Sequence, residues 1–184
     1  MTKVDRRILK TQDAIQTAMI ELMSEKPFDG ITIQDISDKA NVNRGTVYLH
    51  YQDKYDLLDK LIEEHIKQMQ EICTWACEMD WSEATQVLFE YFERNYLFFA
   101  TMLASKGAPS FRNRFQEFLI QEFKDEVDIS EDKNRDLDEE VMLRFMATAY
   151  AGSVEWWITN QMPHPPQDMA NQVGILLKRI VEVV

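Results

Sequence analysis

Two cysteines in 184 residues are too few for a disulfide framework, and the spacing of Cys73 and Cys77 is not that of a zinc site. Glycine and proline are equally scarce, at five each. Their scatter excludes collagen-like and low-complexity classes and argues against a long flexible linker. No apolar run reaches 18 residues, so neither a membrane span nor a membrane partner is expected. The opening stretch MTKVDRRILK has no apolar core of the kind a signal peptide needs, which makes the cytoplasm the expected location. A glycine-rich phosphate loop, a nucleotide fingerprint, a nucleophile-and-base pattern and metal-ligand spacing are also missing, so no enzyme, cofactor or metal is expected.

What the chain does have is apolar mass: 45% of its residues are hydrophobic and 11% aromatic, with ten methionines. That is enough to bury a substantial core. The net charge of -12 is unevenly spread. Up to Lys60 there are nine basic against ten acidic residues; the remainder holds 11 against 22. Affinity for a polyanion would have to come from local clusters such as Lys3, Arg6, Arg7, Lys10, Arg44 and Lys54.

The most informative stretch is ITIQDISDKANVNRGTVYLHYQDK, residues 31–54. Thr32 followed by Asp35 has the form of a capping box, so a helix should begin there. Ile33, Ile36 and Ala40 line one face of it, and Gln34, Asp35, Asp38 and Lys39 the other. Asn41 tolerates the left-handed conformation at which helices stop, and Asn43 is a good cap for a second helix over about 44–51. That helix is too short to be stable alone and must be held through Val47 and Tyr51. Its other side chains, Arg44, Thr46, Tyr48 and His50, with Asn43 and Lys54, are of the kinds that contact phosphates and base edges. Gly45, a poor helix former, makes sense where a backbone or a DNA strand must come close.

The run NVNRGTVYLHYQDKYDLL resembles the end of the DNA-binding domain of the TetR family (TetR/AcrR type) of bacterial transcriptional regulators. The resemblance is strong over about residues 8–60 and beyond that is one of length and helical layout. It implies an all-α fold: an N-terminal three-helix helix-turn-helix DNA-binding domain over 1–52, then a helical ligand-binding and dimerisation body over 53–184.

Along the rest of the chain, helices are expected over about 5–26, with Ile8, Ile15, Ala18, Met19 and Leu22 inward, and over 53–79, 80–105, 110–127, 137–161 and 166–183. In the helix over 53–79, Tyr55, Leu58, Ile62, His65, Met69, Ile72, Ala76 and Met79 form one stripe. This helix would join the DNA-reading part to the body and act as a lever. His65 reads first as a core histidine and second as a ligand-contacting one. Cys73 and Cys77 read first as buried structural thiols, with a redox or metal sensor including His65 as the rival. The acidic stretch 125–140 reads as a solvated connection.

Residue by residue, the aromatic and methionine stripes are compatible with plain core. The resemblance adds an effector pocket in the body, for which Trp75, Tyr91, Phe99, Met102, Phe115, Tyr150 and Trp157, with His65, are the candidates. Small residues Ala147, Ala151 and Gly152, with Trp156, Val173, Leu176, Leu177 and Ile180, suggest a homodimer interface built as a four-helix bundle. The expected function is a repressor released from a near-palindromic double-stranded operator by a small apolar effector. Asn43, Arg44 and Thr46 would reach bases; Thr32, Tyr48, His50 and Lys54 would hold phosphates. The alternative is a co-activator that works through a protein partner.

Overall fold

The computed structural model describes residues 6–76, 81–104, 109–126 and 136–181, and all regular structure among them is helical. The chain divides into two compact units, one reaching His65 and the other taking up at Ile66. The expected division at 52/53 falls just before α4 (Lys54–Ala76), whose N-terminal half belongs to the first unit.

The first unit contains α1 (Arg6–Glu25), a single 3-10 turn (Phe28–Gly30), α2 (Ile33–Lys39), α3 (Arg44–His50) and the start of α4. Ile15, Met19, Ile31, Ile36, Val47 and Leu57 are all but inaccessible and make its core. Two residues expected to face inward do not. Ile8 is exposed, because the buried part of α1 begins only at Ile15. Tyr55 is exposed because Leu57, Leu58 and Leu61 take the inward positions of α4; its ring meets Phe28 edge-on instead, at 5.3 Å. Lys39 ties α2 to α1 through Glu25 at 2.8 Å and Glu21 at 3.2 Å. Those two carboxylates raise the Lys39 pKa, Glu25 contributing most.

The second unit holds the rest of α4 and α5 (Trp81–Arg94), α6 (Tyr96–Ala104), α7 (Pro109–Glu126), α8 (Glu139–Thr159) and α9 (Pro166–Val181). Sequence periodicity predicts one helix over 80–105; the structure has two. The interruption is at Asn95, whose side-chain amide donates to the Tyr91 carbonyl at 2.9 Å beside its own backbone N–H at 3.1 Å. A side chain that competes for a backbone acceptor in this way disturbs regular helix.

Helix α5 packs chiefly on α9, and α7 on α8. Between them runs an aromatic lattice: Phe92 and Phe99 at 4.9 Å, Phe98 and Phe99 at 5.0 Å, and Phe89 and Trp157 at 5.2 Å, all edge-to-face. Each such pair adds about 0.5–1.5 kcal/mol beyond the area it buries. Arg112 of α7 joins three helices, pairing with Glu155 of α8 at 2.7 Å and donating to the Leu103 carbonyl at the end of α6. The α8–α9 turn is built from Gln161 and Met162, both at positive φ, and is closed by the Trp157 indole N–H donating to the His164 carbonyl at 2.8 Å.

Candidate nucleic-acid interface and body cavity

The capping box forms as the sequence predicts. Thr32 accepts from the Asp35 backbone N–H at 3.1 Å, while Asp35 accepts from the Thr32 N–H at 2.8 Å and from its hydroxyl at 2.7 Å. Hydrogen bonds from Thr32, then Lys26 at 3.0 Å, hold the Asp35 pKa down at about 2. Asn41 has φ 53°, the left-handed stop, and the Asn43 side chain accepts from the Gly45 N–H at 2.8 Å to cap α3. The helix-turn-helix is thus fixed by its own polar side chains.

Val47 is the buried residue of α3, so the positions opposite it, Gly45 and Leu49, are the outermost. Arg44 and Tyr48 flank that face; the guanidinium donates to the Tyr48 hydroxyl at 3.1 Å and lies 5.5 Å from its ring centre. Thr46 and His50 are half-buried on the other flank. A methyl group on Gly45 would touch only the Asn43 side-chain oxygen, at 3.4 Å. The glycine therefore keeps the outer face of α3 low. Leu49 is 80% exposed, and the sequence reading missed it. The available signal was its position two residues from Val47, which excludes it from the buried side of so short a helix.

Two residues expected to hold phosphates are already engaged. The Lys54 ammonium donates to the carbonyls of Phe28, Asp29 and Ile31, each at 3.0 Å, and sits 4.8 Å from the Phe28 ring centre. An ammonium has three donors, so none remains for a phosphate. The Thr32 hydroxyl proton is spent on Asp35, whose negative charge also disfavours an anion there. In this structure both residues tie helix starts to their surroundings. Lys60, not singled out in the sequence, similarly donates to the His50 carbonyl at the end of α3 at 3.2 Å.

In the body, Tyr91, Phe99, Met102, Phe115, Tyr150 and Trp157 are buried as expected, but most of them fill core. Trp75 is 64% exposed and is not among the residues lining the cavity of the second unit. His65 is buried, which lowers its pKa to about 4 and keeps it neutral. A cavity of about 50 Å³ lies elsewhere in the second unit. Its deeper wall is Thr85, Leu88, Phe118, Phe123, Tyr150 and Leu177, all buried; half-buried Cys73, Ala84 and Glu122 stand at its edge. Only Tyr150 of the pocket candidates belongs to it. Cys73 is thus not a buried structural thiol, and Cys77 lies outside the described residues.

The dimer candidates divide. Ala147, Val173 and Leu177 are buried within their own unit, since they sit on the inward faces of α8 and α9. Ala151 and Ile180 are half-buried, and Gly152 is exposed with nothing near its missing Cβ. Adjacent positions separate as helix geometry requires: Trp157 is inward and Trp156 outward. Trp156 and Leu176 are exposed, as are Val141 and Phe145 on α8 and Ile175 on α9, which the sequence reading did not single out.

Comparison with known proteins agrees with this architecture. A model of bacterial regulatory proteins of the tetR family matches residues 15–61, and one of a transcriptional regulator C-terminal region matches residues 79–179. The HTH-type negative transcriptional regulator IcaR of the biofilm operon icaADBC from Staphylococcus epidermidis is 38% identical over 52 residues, 28% of either chain. The HTH-type dhaKLM operon transcriptional activator DhaS of Lactococcus lactis is 24% identical over 151 residues, 78% of this chain and 77% of that one. A solved TetR transcriptional regulator from Streptococcus agalactiae superposes with a TM-score of 0.69 at 27% identity, covering 94% of this chain and 96% of that one. With one model spanning the DNA-reading motif and the other more than half the chain, the protein belongs to the tetR family of bacterial transcriptional regulators.

Proposed function

We propose that this regulator is a homodimeric repressor that binds a near-palindromic operator and leaves it when a small, largely apolar effector enters the body. The observation that carries the DNA reading is the outer face of α3. It presents Arg44, Gly45, Tyr48 and Leu49 outward on a helix pinned by Val47, the Asn43 cap and the Lys54 carbonyl cluster. Asn43, Arg44 and Thr46 are assigned to base edges, and Tyr48 and His50 to phosphates. Repression is supported by the likeness to a negative regulator in this part of the chain. The exposure of Val141, Phe145 and Trp156 on α8 and of Ile175 and Leu176 on α9 supports the homodimer, because a second copy would bury this apolar surface. A two-fold dimer would set two recognition helices about one DNA turn apart. It would work in the cytoplasm, where its operator is.

Selection of bound DNA from a random pool tests this. The expected product is an inverted repeat with half-sites about 10 base pairs apart; a pool that never converges would overturn the assignment. A second reading, a co-activator with a protein partner, is favoured by the likeness to an activator along most of the chain and by the acidic body. Capture of a partner that persists after removal of residues 1–60, with transcription rising rather than falling, would decide for it.

A further inference from the structure

The cavity in the second unit holds one feature that core packing does not explain. Tyr150 is buried to 3% accessibility, its ring forms part of the cavity wall, and its hydroxyl has no hydrogen-bond partner. Leaving such a group unpaired costs about 1–3 kcal/mol, a cost a phenylalanine would avoid. The remaining wall is mostly hydrocarbon, and among the described residues its charged member is a carboxylate, Glu122, with no lysine or arginine in the lining. The rest of the body is acidic as well, with 11 basic against 22 acidic residues after Lys60.

We infer that this cavity takes a small neutral or cationic molecule whose single hydrogen-bonding group pairs with the Tyr150 hydroxyl, and that it discriminates against anions. At about 50 Å³ it is well short of the roughly 150 Å³ that holds a whole benzene ring. The ligand therefore enters by its polar end, with its apolar remainder against Phe118 and Leu88 and across the edge formed by Cys73, Ala84 and Glu122. A hydroxyl both donates and accepts, so an alcohol, a carbonyl or an ammonium satisfies it equally. Glu122 at the edge favours the ammonium and opposes a carboxylate. The inference deepens the effector reading above and rests on it for the consequence to DNA.

The test uses the full chain and three polar probes of one shape, benzyl alcohol, benzylamine and benzoate, with toluene as an apolar control, titrated by calorimetry without DNA and then against the operator complex. Benzyl alcohol and benzylamine should bind, and benzoate should bind at least about tenfold more weakly. Tyr150→Phe should weaken benzyl alcohol about five- to tenfold and leave toluene unchanged, and Glu122→Gln should narrow the gap between benzylamine and benzoate. Benzoate binding as tightly as benzylamine, indifference of benzyl alcohol to Tyr150→Phe, or no binding of any probe would each overturn the inference. Binding in the expected order without release of DNA would remove the effector mechanism and leave the site standing.

Discussion

The two units treat their polar groups in opposite ways. In the first, the groups that set its geometry are engaged by named partners within it: Thr32 with Asp35, Asn43 with Gly45, Lys54 with three carbonyls, Lys39 with two glutamates. In the second, interlocked rings fill the interior between a few polar ties such as Arg112 with Glu155, and the buried Tyr150 hydroxyl is left without a partner. Hydrogen bonds are directional and short-ranged, so they fix the placement of α3, as the proposed reading of base edges requires. Ring contacts tolerate several arrangements of similar energy and leave room for a cavity.

The sharpest way to break this comparison is Lys54→Met. It keeps the length and apolar stem of the side chain and removes only the ammonium, stranding the carbonyls of Phe28, Asp29 and Ile31. Urea unfolding should show a loss of about 2–3 kcal/mol, while the salt dependence of DNA binding by the folded protein stays that of the wild type. Unchanged stability with a slope reduced by about one unit would instead return Lys54 to the phosphates.

His65 offers a second test, since the reader unit ends in a histidine kept neutral by burial. Its pKa falls from 6.5 to about 4. As pH drops below 6.5, the unfolded chain takes up a proton that the folded state refuses, so stability declines from there to about pH 4 and then levels off. Between pH 7 and pH 5 the loss should be about 2 kcal/mol. His65→Leu should flatten that part of the stability profile; an equally steep profile in the variant would assign the slope to other groups.

The same contrast explains what could be read from the sequence. The capping box, the Asn41 stop and the Asn43 cap are local, each spanning four residues or fewer, and their spacing specifies them. Tyr150 was legible as an aromatic of the body, but not its isolation, because a missing partner depends on everything that surrounds it in space. The partners of Lys54 were hidden for a related reason. Its residue type matches a phosphate contact, while the carbonyls it meets in the fold lie 23 to 26 residues away along the chain. Asn95 went unread as an interruption because its effect depends on one rotamer choice, a side-chain bond to Tyr91.

Tyr150→Phe probes the second unit by removing the unpaired hydroxyl and nothing else. Where the equivalent deletion at Lys54 destabilises, this one should stabilise, by about 1 kcal/mol, seen as a higher midpoint in urea with an unchanged slope. A loss of stability would show that the hydroxyl has a partner in solution and that the second unit satisfies its polar groups as strictly as the first. The stability gain would also separate the ligand effect of this variant from misfolding.

Leu49 carries the smallest expected effect and the finest test of the reader. An apolar side chain 80% exposed on the outer face of α3 contributes little to folding, so Leu49→Ala should leave stability within about 0.5 kcal/mol of the wild type. On DNA it has one kind of base feature to meet, the thymine methyl group, which is the apolar element of the major-groove pattern. Replacement should therefore cost about 1 kcal/mol on the selected operator and nothing on the same operator with that thymine changed to uracil, which lacks the methyl. Equal losses on both would place Leu49 against the backbone. It would then join Tyr48 and His50 as a positioning contact, leaving Asn43, Arg44 and Thr46 as the base-reading set.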